Sequence, residues 1–286
     1  MKKILVPIDF SETTQSACNY ALNLLDGPGE LLLFHAYFDQ VVASDSGFPA
    51  GVDTETMVSE QLLHDIKLRA KKDLVKLQAS LNNLASSREI KDIKIETLLE
   101  GGEPTNAILG ISRTYQPDFI VMGTSGGNKK GFLEGSVARK VMDQSDIPVF
   151  AIPYLEKNTW PNEIMYATEF CDEDAIMIRK IISLLSFLNP RISCLHILQR
   201  DEFDDANEKL DKLRGELSNE EREGQVQFFI QKETDLKENI ASFLVTRDIS
   251  LMSFIPHKRG FIKSLFTNKL TKKELFQFNL PLLAIK

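Results

Sequence analysis

The chain has 286 residues, enough for one large or two ordinary domains, and 43% of them are hydrophobic, enough for real cores. Its formal net charge of −7 excludes a nonspecific nucleic-acid binder on bulk electrostatics, and no apolar stretch is long enough to span a membrane. Cys18, Cys171 and Cys194 lack metal or redox spacing; Cys18 and Cys194 read as small packed groups, and a reducing compartment is implied. The basic start is no signal peptide, because Pro7 and Asp9 interrupt the apolar run. A cytoplasmic protein with neither nucleic acid nor membrane as a partner is expected.

In chain order, the first apolar run predicts a strand near residues 3–8, closed by Pro7 and Asp9. The next helix carries Ala17, Tyr20, Ala21, Leu24 and Leu25 on one face, with Ser11 as N-cap and Asp26-Gly-Pro-Gly29 as its stop. A strand follows near 30–37. Phe38–Glu60, rich in Gly, Pro, Ser and Asp, reads as a loop or lid. A long helix near 58–85 carries Leu62, Leu63, Ile66, Leu74, Leu77 and Leu81. A strand near 92–99 and a helix near 104–115, opened by Pro104, come next. Strands near 118–122 and 147–152 complete the series. The alternation predicts a parallel sheet with right-handed crossovers.

The most informative stretch is Gly123-Thr-Ser-Gly-Gly-Asn-Lys-Lys-Gly-Phe-Leu-Glu-Gly-Ser136, between a strand and a helix. Glycines allow close backbone approach, and free amides with the helix dipole face an anion. The spacing fits neither a P-loop nor a dinucleotide fingerprint, and a flexible surface loop is the competing reading.

The chain also repeats itself. Ile164-Met-Tyr-Ala-Thr-Glu-Phe170 matches Ile4–Phe10, Cys194-Leu-His-Ile197 matches Leu33–Ala36, and Asn279–Ile285 matches Asp146–Ile152. Strands of the second copy are expected near 163–168, 191–197, 225–230, 249–254 and 281–285. The linker lies near Tyr154–Asn162, with Trp160 expected to pack across it. The second copy has Glu169 for Asp9 and Ala167 for Pro7. Its fourth-strand loop keeps only Gly260, with Phe254 and Pro256 where bare backbone would be needed. Lys258, Arg259, Lys263, Lys269, Lys272 and Lys273 form a basic region that reads as a solvated face.

The run Lys2–Thr13, the segment Leu32–Ala36, the segment Asp118–Thr124 and the lead Ser145–Val149 together resemble the universal stress protein family over residues 1–153. The resemblance implies an α/β fold: two tandem five-stranded, Rossmann-like parallel sheets of strand order 3-2-1-4-5, in residues 1–153 and 162–286. These would pair through their last strands as an intramolecular pseudo-dimer, and a homodimer of whole chains is compatible with it. In the ATP-binding branch of that family the loop reads Gly-x-x-Gly, nine residues, Gly-Ser/Thr. Here eight residues separate Gly126 from Gly135.

By the same resemblance, Asp9 and Pro7 would meet the adenine side or ribose, and Ala36 would line the base pocket. Gly123 and Gly126 would let the loop wrap the ligand. Gly135, Ser136 and Val137 would offer amides and a hydroxyl to phosphates, with charge from Lys129 or Lys130. ATP with Mg²⁺ is the implied cofactor, Asp9 being a candidate Mg²⁺ ligand. Asp9 also reads as a turn cap, and His35 and His196 as core hydrogen-bonding groups. No catalytic set stands out, which limits any enzyme activity to slow ATP hydrolysis. Two functions remain open: a stress-response regulator with an adenine-nucleotide site in the first copy, and a nucleotide-free stress or scaffold protein acting through protein contacts.

Overall fold

The alternating apolar runs and amphipathic segments fold as an α/β protein. The computed structural model describes residues 1–25, 27–37, 54–124, 137–156, 160–198, 203–232, 236–256 and 280–286. The first series is β1 (Lys2–Pro7), α1 (Glu12–Asn23), β2 (Gly29–Tyr37), α2 (Thr54–Ser87), β3 (Ile93–Gly101), α3 (Pro104–Tyr115), β4 (Phe119–Gly123), α4 (Val137–Gln144) and β5 (Val149–Ile152). The second is β6 (Glu163–Ala167), α5 (Asp174–Leu184), β7 (Arg191–Leu198), α6 (Phe203–Glu216), α7 (Ser218–Arg222), β8 (Val226–Lys232), α8 (Leu236–Thr246), β9 (Leu251–Phe254) and β10 (Leu282–Ala284).

These strands form one sheet of order β3-β2-β1-β4-β5-β10-β9-β6-β7-β8. Each half is parallel and has the 3-2-1-4-5 order. The halves meet where β5 and β10 pair antiparallel, with Leu283 opposite Phe150. That pairing relates the halves by an approximate two-fold axis, as the two apolar edges predicted. One apolar layer packs α1, α2, α5 and α6 on one face of the sheet. The other packs α3, α4 and α8 on the opposite face.

Four local readings change. The segment taken as a loop or lid ends in helix, because α2 begins at Thr54; residues 38–53 lie outside the described set. Leu62 and Ile66, which the sequence grouped with Leu74 and Leu81 among the apolar positions of this helix, are 51% and 39% exposed, whereas Leu74 and Leu81 are buried. A helix of 34 residues spans about 51 Å, against about 30 Å for β3, so its first half overhangs the sheet. Trp160 is 47% exposed rather than packed across the linker. Ser11 holds the N-cap position, but its hydroxyl pairs with that of Thr13 at 3.0 Å instead of capping the helix.

The seam depends on Phe150, which is fully buried, with ring centroids 5.6 Å from Tyr20 and 5.4 Å from Phe119. Phe150→Ala should therefore cost about 3–5 kcal/mol in urea unfolding, as a large-to-small change in a packed core does. A loss below about 1 kcal/mol would show that the seam is not packed as described.

Candidate functional site

The strand order reverses between β1 and β4, and ligands of open α/β sheets bind at the carboxyl ends of strands there. A cavity of about 630 Å³ lies at that point, within the range of small-molecule sites. Pro7, Asp9, Ala36, Gly123 and Val137, all singled out in the sequence, line it. Gly126, Gly135, Ser136, Lys129 and Lys130 lie outside the described residues.

Sequence reasoning missed the apolar wall. Phe34, Tyr37, Ile66, Ile108 and Met122 also face the cavity. Phe34 could have been found, since it shares a strand face with Ala36 at the two-residue period. Ile66 could not, because it reaches the site from the overhanging part of α2.

The turn after β1 is organised by Asp9. Its Oδ1 accepts from the Ser11 amide at 3.0 Å and from the Thr14 hydroxyl at 2.9 Å. Its Oδ2 takes no hydrogen bond among the described residues. Asp9 therefore both caps the turn and leaves an acceptor at the cavity wall. Among the described residues no group of three or more His, Cys, Asp or Glu is assembled that could hold a metal.

Phe10 has a left-handed φ of 57° and stacks on His35 with centroids 4.8 Å apart. The Nδ1 of His35 lies 2.6 Å from the Ile8 carbonyl, which can only accept, so Nδ1 carries the proton. Phe170 (φ 55°), His196 and the Thr168 carbonyl repeat this arrangement in the second half. Both histidines thus make the core hydrogen bond expected of them.

Gly123 is explained by a close approach. A Cβ there would sit 3.0 Å from Thr13 Cβ and 3.2 Å from its backbone carbonyl carbon, closer still to its hydroxyl. The glycine lets α1 rest on the end of β4. The register shows what replaces it: Leu5 pairs with Ile120 and Tyr166 with Ser253, which aligns Gly123 with Ile255. The residue at that level of the second half is Ile255, rather than Phe254 or Pro256 as the sequence suggested, and its side chain is buried in the apolar layer that packs α5. Gly123→Ala should destabilise the protein by about 1–3 kcal/mol through overpacking. Adding Thr13→Ala should restore part of that in thermal unfolding, because only the hydroxyl contact is relieved. Full tolerance of Gly123→Ala would contradict the packing.

The second half solves the same turn differently. Asp174, 1% exposed at the start of α5, accepts from Tyr166 Oη (2.8 Å), Thr168 Oγ1 (2.6 Å), the Cys171 amide (3.0 Å) and Cys171 Sγ (3.0 Å). Burial first, and Asp174 second, push the Tyr166 hydroxyl pKa up, which keeps it a donor. Burial pushes the Cys18 thiol up to about 12 and, with a further contribution from Asp174, holds Cys194 well above its ordinary value. Both thiols stay protonated, in keeping with simple packing.

Tyr20 is the contrast: its hydroxyl is buried with no partner among the described residues. Tyr166→Phe should cost about 1–3 kcal/mol, while Tyr20→Phe should be neutral or stabilising by about 1 kcal/mol. Denaturant midpoints of the two variants moving the same way would refute the assignment.

The model of the universal stress protein family matches residues 1–153, more than half of the chain. Universal stress protein MJ0577 of Methanocaldococcus jannaschii is 28% identical over 156 residues, covering 53% of this chain and 94% of that protein. MJ0531 of the same organism is 30% identical over 155 residues, covering 53% of this chain and 81% of that protein. A solved universal stress protein from Archaeoglobus fulgidus, 15% identical, covers 99% of this chain and 96% of its own, with a TM-score of 0.63. That last likeness concerns the fold, and it extends through both halves of the sheet. Among the described residues no helix is long and apolar enough to cross a membrane.

Proposed function

The chain belongs to the universal stress protein family, and we propose that its first half, residues 1–153, is an adenine-nucleotide-binding regulatory domain of a stress response. Residues 162–286 would be a second domain of the same fold without that activity. The observation that carries this reading is the cavity at the β1–β4 reversal, apolar on most sides and edged by the spare oxygen of Asp9. Apolar and aromatic walls suit a purine base, and Asp9 Oδ2 suits a ribose hydroxyl or an exocyclic amine. The glycine loop between Gly123 and Val137 would hold the phosphates, and Asp9 is the residue that would hold a Mg²⁺ ion if one accompanies them to offset their charge.

A second reading has its own support. Gly123 is required by its contact with Thr13 whether or not a ligand binds. A nucleotide-free protein working through protein contacts would keep that glycine.

Calorimetry with ATP and Mg²⁺ separates the two. The first reading expects one nucleotide per chain, binding no tighter than roughly micromolar because the short glycine loop must be ordered. Asp9→Ala should weaken it by about tenfold or more, and Glu169→Ala should leave it unchanged. Two nucleotides per chain would overturn the assignment to the first half. No binding at millimolar ATP would favour the second reading.

A further inference from the structure

The amino ends of β6, β7 and β8 enclose another cavity, about 530 Å³, lined by polar and charged groups. It sits at the other end of these strands from the second half's counterpart of the crevice, and β5, β10 and β9 lie between β4 and β6 in the sheet. We propose that this cavity binds a small amino-acid zwitterion, with the ligand's carboxylate on Arg247 and its ammonium on Asp248.

The charges of the wall are sorted. Arg191 is ion-paired with Glu163, so those two largely neutralise each other. Arg247 and Asp248, adjacent in sequence, pair with neither each other nor any other charged side chain among the described residues. Arg247 is nonetheless fixed: its guanidinium lies 4.0 Å over the Phe229 ring, and Nη1 donates to Gln227 Oε1 at 2.6 Å. A stacked guanidinium held on one edge presents its remaining donors as a fork, the geometry a carboxylate takes.

The backbone of Asp248 is fixed, and its side chain is exposed at the rim of the cavity. The residue has φ 51° and follows the last turn of α8, where its amide donates to the Val245 carbonyl. The carboxylate and the negative end of the α8 dipole act together there, and both favour a cation. A rigid cationic fork next to an anionic corner, with no countercharge of their own, is complementary to a molecule carrying both charges a few bonds apart. Gln225 and Ser193, also on the wall, provide hydrogen-bonding groups for a polar side chain.

The test uses the full-length protein and L-glutamine as probe, read by calorimetry. N-acetyl-L-glutamine lacks the ammonium, and L-glutamine amide lacks the carboxylate. The zwitterion should bind, and each blocked form should bind about tenfold more weakly or worse. Asp248→Asn keeps a residue tolerant of the left-handed backbone, so the fold should survive while binding falls by a similar factor. Arg247→Ala also loses the contact with Phe229; Arg247→Lys retains the charge without the fork and should weaken binding as well. Nucleotide binding by the first half should be the same in all of these variants, so the two sites fail or succeed separately. No heat at millimolar L-glutamine, equal binding of the blocked forms, or full binding by Asp248→Asn would each overturn the proposal.

Discussion

Everything in this molecule depends on the antiparallel pairing of β5 with β10. Both strands are short, apolar and last in their series, and left alone each would be a sheet edge inviting association. Joined, they bury Val149–Ile152 completely and turn two five-stranded sheets into one. Contacts from outside the sheet reinforce the seam. Lys286 Nζ donates to the Asp143 carbonyl at the end of α4, and Lys180 Nζ donates to the carbonyl of Lys286, each at 2.6 Å. Lys2 Nζ lies 3.5 Å over the Phe187 ring, tying the first strand to the turn after α5. Burial lowers the pKa of Lys286, as expected for an ammonium drawn into the junction. Because the pairing is antiparallel, the strands of the two halves run in opposite directions. Their crevices open on opposite edges of the sheet, and one can change without disturbing the other.

That freedom is visible in the two turns that follow β1 and β6. Each needs an acceptor for the amides at the start of the next helix. The first half supplies it from the end of the strand, through Asp9, with half of the carboxylate left at the cavity wall. The second half supplies it from the helix, through Asp174, with the whole carboxylate inside the core and four donors around it. A buried acid so fully hydrogen-bonded is tolerated, but it offers nothing to a ligand. The exchange of Gly123 for Ile255 acts in the same direction, putting a side chain where the first half keeps bare backbone. Asp174 and Ile255 are both buried, so both positions belong to the core of the second half.

Sequence patterns revealed the strands, the helix at Pro104 and the pairing of last strands because each rests on a local rule: apolar runs, a proline allowed in a first turn, an edge that must be covered. The family resemblance, through its strand order, placed Pro7, Asp9, Ala36, Gly123 and Val137 around one point, and all five line the cavity at the β1–β4 reversal. What the sequence patterns missed depends on geometry between elements. The exposure of Leu62 and Ile66 follows from α2 outrunning the sheet, which no periodicity within the helix records. The reason for Gly123 is Thr13, more than a hundred residues earlier. The match of Ile255 to Gly123 needs the strand register, because insertions make the spacing of the two copies unequal. Asp174 carried no signal at all, lying where the first copy has Thr14.

The histidine turns decide one further point. A bulky residue in the left-handed region costs on the order of 1–2 kcal/mol, and such strain is often a mark of a functional site. Phe10 beside the cavity would fit that description if it stood alone. Phe170 has the same φ to within a few degrees, packs on His196 as Phe10 packs on His35, and stands in the half that has Glu169 and Ile255 in place of Asp9 and Gly123. Strain that recurs where those two residues are replaced is not peculiar to the cavity. Its compensation is internal. The ring stack and the hydrogen bond from Nδ1 to the carbonyl two residues before the phenylalanine lock the chain reversal at the end of the first strand of each half. That reversal sets where the following helix begins, and so whether its first turn can cap on Asp9 or must carry its own acid at Asp174.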